Sequence, residues 1–244
     1  MAGQRTIIIT GASRGIGHAT ALRFHAEGWR VITVSRRPPP GQCPWSVATS
    51  HILLDLSDLD DIVRCVEIMR GMLVDGELDA LVNNAGISPK GPDGSRLNSL
   101  ETDIDTWQAM FNTNFYAPLL LTRGFVAELA RARGAVVNLT SIAGSRVHRF
   151  AGSAYATSKA SLASLTREMA FDLASAGIRV NAIAPGEIDT AILSPRTSEI
   201  VDRDIPMRRL GTIEEVANLI WFLCSAQATY ITGAEIPING GQHA

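Results

Sequence analysis

Tyr155 and Lys159 stand four residues apart in "AGSAYATSKAS" (Ala151–Ser161), a stretch otherwise made of small side chains. On a helix, positions i and i+4 share a face. A phenol with a pKa near ~10 is mostly the wrong species to accept a proton at neutral pH, and a cation beside it favours the phenolate and lowers that pKa. The pair therefore has the makings of a general acid/base acting on an oxygen. By itself it reads better as a solvated surface pair, so the rest of the chain must overturn that reading.

Other chemistry-bearing residues gather at the ends of β-branched runs. "TGASRGIG" (Thr10–Gly17) follows the run Arg5–Thr10 and opens a helix. Its Gly11, Gly15 and Gly17 would let the backbone approach a pyrophosphate, whose charge a helix N-terminus favours; Ser13, Arg14 and Ile16 lie in the same loop. The spacing G-x-x-x-G-x-G departs from the G-x-G-x-x-G fingerprint, so the context of strand before and helix after carries the reading. The second run ends in Ser35 and Arg36, where NAD enzymes tend to place an acid for the ribose 2′-hydroxyl. The third ends at Asp55 and Leu56, with a carboxylate able to accept from an adenine amino group. The fourth ends "NNAG", with Asn84 to fix a loop and Ala85 and Gly86 leaving room for a flat ring. The fifth ends in Ser141. The sixth ends "PGEIDT", where Pro185, Gly186, Ile188 and Thr190 form a turn able to pin the far end of a cofactor.

The elements that must position these residues are legible. Strand-like runs at Arg5–Thr10, Trp29–Ser35, His51–Leu56, Leu78–Asn84, Ala135–Ser141, Ile178–Gly186 and Ala234–Gly240 alternate with helical spacing. The helical segments are Ile16–Ala26, Leu59–Leu73, Ile104–Ala132, Ser153–Ala176 and Ile213–Cys224. That alternation predicts an α/β, doubly wound and mostly parallel seven-stranded sheet with helices on both faces. It spans one domain over residues 1–244, without repeat or linker; "RRPPPG" (Arg36–Gly41) reads as a rigid surface loop. The formal net charge of −2 argues against steering toward nucleic acid or an anionic membrane. No apolar run approaches a membrane span, and "MAGQRTIIITG" leaves no room for a secretory signal. Cys43, Cys65 and Cys224 lack metal or disulfide spacing, which suggests reduced thiols in a cytoplasmic setting, and the scattered histidines suggest no metal site.

"TGASRGIG", "NNAG", Ser141, "YATSK" and "APGEIDT" occur in the order and approximate spacing of the short-chain dehydrogenase/reductase family, and "ITGAEIPINGG" (Ile231–Gly241) is similar to its closing segment. The resemblance covers essentially the whole chain and leans toward the 3-oxoacyl-carrier-protein reductases of that family. It implies a Rossmann fold and hydride transfer between a nicotinamide and a carbonyl or secondary alcohol. Tyr155 would be the general acid/base, Lys159 its cation and a partner of the nicotinamide ribose, and Ser141 a donor to the substrate oxygen. Asn114, in "FNTNFYAP", would hold a water against the lysine; Asn112 is its rival, as Thr140 is for Ser141. The family also implies a homotetramer built through its long helices, here those starting near Asp103 and Ser153.

Ser35, Arg36 and Arg14, with Arg37 as a weaker third, suit the 2′-phosphate of NADP(H) better than NAD(H) requires. Ser88, Pro89, His148, Phe150 and Glu187 are candidates for the pocket of a small-molecule substrate, with 191–206 as a lid carrying Arg196 and Arg203, two arginines read as surface residues. The loop Ser88–Asp103 looks longer than the family pattern. A catalytically idle nucleotide-binding scaffold or sensor is the alternative function. All four catalytic positions being present favours the enzyme.

Overall fold

The computed structural model describes residues 4–39, 43–44, 50–190 and 197–244, with the backbone alone at 197–199. Seven strands, β1 (Thr6–Thr10), β2 (Arg30–Ser35), β3 (His51–Leu53), β4 (Ala80–Asn83), β5 (Ala135–Leu139), β6 (Arg179–Pro185) and β7 (Glu235–Ile238), form one sheet in the order β3-β2-β1-β4-β5-β6-β7. Every strand pair is parallel. The order reverses between β1 and β4, the switch point at which α/β sheets open a crevice for ligands.

The β-branched runs form strands because both sheet faces are covered, and residues alternate between two apolar cores. Ile8, Ile32 and Val136 point to one face, where α2 (Leu59–Arg70) contributes Ile62, Val66 and Met69. Ile7, Ile9 and Val137 point to the other, where α1 (Gly15–Ala26) and α8 (Ile213–Cys224) supply Phe24, Val216, Ile220 and Leu223. A one-residue slip of β1 would exchange these sets, so the alternating isoleucines hold the register.

The segment expected as one helix over Ile104–Ala132 is broken. It runs as α3 (Ile104–Phe111), a π-helical turn (Asn112–Tyr116), α4 (Ala117–Gly124) and α5 (Val126–Ala132). Pro118 stands four residues after Asn114 and has no N–H to offer its carbonyl, which favours the wider turn there. The third strand is also shorter than expected and stops at Leu53. Tyr155 and Lys159 lie on α6 (Ser153–Leu173), which is followed by a 3₁₀ turn (Ala174–Ala176). The start of α6 has no side-chain cap. Instead the Ser153 N–H donates to the Leu97 carbonyl at 2.9 Å, so the 88–103 loop satisfies one of the helix's open donors. Pro40 and Gly41 of the proline loop, and 191–196 of the expected lid with Arg196, lie outside the described residues. The rest of the lid forms α7 (Thr197–Asp204), where Arg203 pairs with Asp204 at 2.7 Å on the surface.

Candidate active site

A cavity of about 1120 Å³ opens beyond the carboxyl ends of the strands. All the expected cofactor and catalytic residues line it except Gly17 and Asn114. Both exceptions act from behind. A Cβ at Gly17 would sit 2.4 Å from Asn84 Nδ2 and 2.5 Å from the Gly11 carbonyl oxygen. The Gly17 position is thus one of close packing beneath the loop, and the expected contact with a cofactor is corrected to a supporting role.

The loop is tied to β4 by contacts that sequence reasoning missed. The Thr10 hydroxyl accepts from the N–H groups of both Asn84 and Ala85 at 3.1 Å. Asn84 Nδ2 donates back to the Thr10 carbonyl at 2.9 Å. Gly11 sits at φ +69°, and a Cβ there would meet the Ala85 Cα at 2.8 Å, so only glycine fits this crossing of β1 and β4. A threonine ending a strand before a glycine loop was the available signal for the knot.

At the end of β2, Arg36 and Arg37 are exposed, and Arg14, exposed on the glycine loop, lines the same cavity. Ser35 is buried, and its hydroxyl donates to the Arg37 carbonyl at 2.7 Å. The expected hydroxyl donor toward a phosphate is therefore engaged within its own turn. What Ser35 contributes instead is the absence of a carboxylate. The Asp55 carboxylate accepts from the Ser57 N–H at 3.0 Å and hydroxyl at 2.8 Å. Partial burial pushes its pKa up, but the two Ser57 bonds and Arg36 outweigh that and hold it below the usual range.

The catalytic candidates converge at the other end. Ser141 Oγ accepts from the Ala143 N–H at 3.2 Å, and Ser141 lines the cavity together with Tyr155. Its rival Thr140 also lines the cavity, but its hydroxyl is engaged, bonded to the Ile183 carbonyl at 2.9 Å and to Glu235 at 2.6 Å. Asn114 is fully buried next to Lys159: its Oδ1 accepts from the Ile87 N–H at 2.9 Å, and its Nδ2 donates to the Ile87 carbonyl and the Ser158 hydroxyl, both at 3.0 Å. Asn112 reaches the Ser57 carbonyl instead, at 3.0 Å. A Cβ at Gly86 would lie 3.3 Å from both Asn114 Oδ1 and Lys159 Nζ, which places the three groups around one point. The small residues of α6 permit close approach: a Cβ at Gly144 would come within 2.9 Å of the Ala160 nitrogen.

Lys159 is 3% exposed and donates to the Leu139 carbonyl at 2.5 Å. Burial lowers its pKa to about 8. Its ammonium lies 5.9 Å from the centroid of the Tyr155 ring. The expectation that Lys159 lowers the phenol's pKa is not met. Burial raises the Tyr155 pKa, the Ser141 side chain opposes this, and the Glu187 carboxylate raises it further. The Lys159 ammonium is bonded instead to the Leu139 carbonyl.

The geometry suits a dinucleotide. Glycine backbone lies at the mouth of α1, arginines stand at the β2 end, a flat gap opens beside Ala85 and Gly86, and Ser141 and Tyr155 lie at the far end. The model of the family described as "Enoyl-(Acyl carrier protein) reductase" matches residues 11–243. The chain belongs to the short-chain dehydrogenase/reductase family. Members of this family act on CH–OH or carbonyl groups with a nicotinamide cofactor, and the chain is an oxidoreductase of that kind. Protein FixR from Bradyrhizobium diazoefficiens is 56% identical over 241 residues, covering 98% of this chain and 87% of that protein. An oxidoreductase of the short-chain dehydrogenase/reductase family from Brucella ovis, solved with a partially ordered NAD, is 53% identical with a TM-score of 0.85 and covers 97% of this chain and 100% of that one. A 3-oxoacyl-[acyl-carrier protein] reductase from Brucella melitensis with bound NAD is 31% identical with a TM-score of 0.87, covering 100% and 92%.

Among the described residues of this dehydrogenase/reductase, no cluster of ligating side chains could hold a metal ion, and no helix is long and apolar enough to cross a membrane. The three cysteines are free thiols.

Proposed function

We propose that this chain is an NADP(H)-dependent carbonyl reductase and alcohol dehydrogenase in which Tyr155 is the general acid/base. The observation that carries this reading is the convergence of Ser141, Tyr155 and Lys159 on one cavity, with Lys159 and the buried Asn114 gathered beside Gly86. The nicotinamide, when bound, supplies or accepts the hydride. Ser141 and Tyr155 present two hydroxyls to one substrate oxygen, orienting the carbonyl and stabilising charge that develops on it. A phenol held protonated by burial is ready to donate, so Tyr155 Oη gives its proton to that oxygen in reduction. Lys159 and Asn114 lie behind it on the route by which the proton is replaced. Pro118 leaves the Asn114 carbonyl without an α-helical donor, which supports its role in holding a water there.

The cofactor preference rests on Arg36 and Arg14, exposed charges at the point where a 2′-phosphate would lie, and on the absence of an acid at Ser35. NAD(H) is the second reading, favoured by the NAD held by the Brucella ovis relative. We further read the chain as one domain and as a cytoplasmic homotetramer. Its interfaces would include α3 and α6, which expose Ile104 and Phe171 at 75% and 85%. Sedimentation as a stable monomer at micromolar concentration would reject the tetramer.

The deciding experiment follows nicotinamide absorbance against a carbonyl panel for wild type and Tyr155→Phe. The variant is expected to bind cofactor as wild type does and to lose ~10²–10⁴ in turnover. Near-normal turnover by the variant would remove the assignment, and a wild type inert toward every carbonyl would return the idle scaffold.

A further inference from the structure

The substrate end of the cavity holds charged groups that hydride transfer does not use. His148 Nε2 lies 2.9 Å from Glu187 Oε1, with both side chains mostly buried, at 14% and 13% exposure. The Phe150 N–H reaches His148 Nδ1 at 3.3 Å. That bond makes Nδ1 an acceptor and leaves Nε2 to donate to Glu187. The carboxylate has its second oxygen to offer.

Lys90, from the long 88–103 loop, lines the same cavity and donates to the Phe150 carbonyl. Its ammonium is within electrostatic reach of Glu187, and Glu187 in turn is close enough to Tyr155 to raise the phenol's pKa. The backbone around Glu187 is pinned: its carbonyl accepts from the Gly211 N–H at 3.0 Å, and the Asp189 N–H reaches the Gly211 carbonyl at 2.9 Å. Lys90 and Glu187 together leave this corner with no net charge, but with a strong acceptor and a strong donor a short distance from the oxygen-binding pair.

An apolar chain laid across Glu187 and Lys90 would strip water from both and return nothing. An anion would face the Glu187 carboxylate, and a cation the Lys90 ammonium. A neutral hydroxyl satisfies both, donating to the carboxylate and accepting from the ammonium. We propose that Glu187, held by His148, and Lys90 form a hydroxyl-binding subsite, and that the substrate is a small hydroxylated ketone or vicinal diol whose second oxygen sits beside the reacting carbon. This rests on the oxidoreductase reading above and names its substrate class. The reaction balances as hydroxy-ketone, reduced nicotinamide and one proton giving diol and oxidised nicotinamide. A site built to bond a hydroxyl rejects the analogue that lacks it, because its own polar groups are then left unpaired.

The test compares acetoin with 2-butanone, which differ by that hydroxyl, and adds acetoacetyl-coenzyme A as a ketone carrying a long anionic group. Wild type is expected to favour acetoin over 2-butanone in kcat/KM by about a hundredfold, a part of the discrimination such sites reach because this one is open to solvent. Glu187→Leu should raise turnover of 2-butanone and reduce the ratio below about tenfold. Glu187→Gln, nearly isosteric, should lower the ratio at least about tenfold, and nicotinamide titration of both variants checks their folding. Saturation-transfer NMR of 2,3-butanediol against 2-butanol reads the same preference without turnover. A wild-type ratio near one, or variants that leave it unchanged, overturns the subsite. Reduction of 2-butanone or acetoacetyl-coenzyme A with acetoin inert overturns the subsite and leaves the oxidoreductase reading standing. If none of the three is reduced with either nicotinamide, both fall.

Discussion

The two ends of the cavity are built by different means. The cofactor end is a backbone device: Gly11 and Gly17 allow β1, α1 and β4 to touch, and the Thr10 hydroxyl and Asn84 lock the crossing. The substrate end is a side-chain device, in which His148 and Glu187 pair through their tips and Lys90, from a third loop, bonds the Phe150 carbonyl in the same cavity. A backbone device tolerates almost no added volume but is indifferent to most charges. A side-chain device tolerates volume and is governed by charge and hydrogen bonding. The difference teaches why one fold can keep its cofactor while changing its substrate.

The largest expected effect comes from adding volume at the cofactor end. Gly17→Val is expected to weaken nicotinamide binding at least a hundredfold, because the new side chain meets the Gly11 carbonyl and Asn84, neither of which can yield. Overpacking should also cost about 1–3 kcal/mol in stability. Cofactor titration and urea unfolding check both, and a variant that binds normally would break the contrast between the two ends.

The next concerns the hinge between the ends, Lys159. Burial holds its folded pKa near about 8, against 10.5 ordinarily. Below pH 8 the folded and unfolded states are both protonated, and the burial penalty is present in full. Between 8 and 10.5 the unfolded chain holds a proton that the native state has released, so stability rises with pH; above 10.5 the penalty is gone. Two to three pKa units correspond to ~3 kcal/mol. Relative to Lys159→Met, wild type should therefore gain about 2–3 kcal/mol between pH 7 and 10. Parallel pH dependence in the two proteins would place the ammonium in water.

A smaller effect is expected from charge at the cofactor rim. Wild type should bind NADPH about tenfold more tightly than NADH, with salt narrowing the gap, since two partly exposed charge-assisted bonds support it. Ser35→Asp combined with Arg36→Ala should reverse the order. Tighter NADH binding by wild type, or a double variant with unchanged preference, would sink the NADP(H) reading.

The smallest concerns the loop that supports the substrate end. Arg96 donates to the Ala151 carbonyl at 2.8 Å and to the Ser153 hydroxyl at 3.2 Å, tying the 88–103 loop to the start of α6. Arg96→Ala should raise KM several-fold, leave cofactor affinity unchanged, and cost about 1 kcal/mol or less in stability. A matching loss of cofactor affinity would show that the two ends are one device.

Much of the frame was legible because it rests on local regularities. The strand and helix positions followed from alternation and helical spacing, and Tyr155 and Lys159 share a face because four residues make about one turn. The break in the helix after Phe111 was missed although Pro118 announced it, because the apolar spacing runs through the break undisturbed. The 88–103 loop was visible as an excess of Gly, Pro and charge, but not its use: Leu97 and Arg96 bind the head of α6, and no period links them to it.

By itself the sequence determined the sheet class, the glycine loop between β1 and α1, and the placing of Tyr155 and Lys159 on one helix face, since each is encoded within a few neighbouring residues. Tertiary structure alone decided that the Thr140 hydroxyl is bonded to Ile183 and Glu235, and which of Asn112 and Asn114 backs Lys159. It decided that Ser35 spends its proton on the Arg37 carbonyl, that His148 pairs with Glu187, and that burial raises the Tyr155 pKa. These depend on burial and on partners far away in the chain, and both come into being only when the loops close over the ends of the strands.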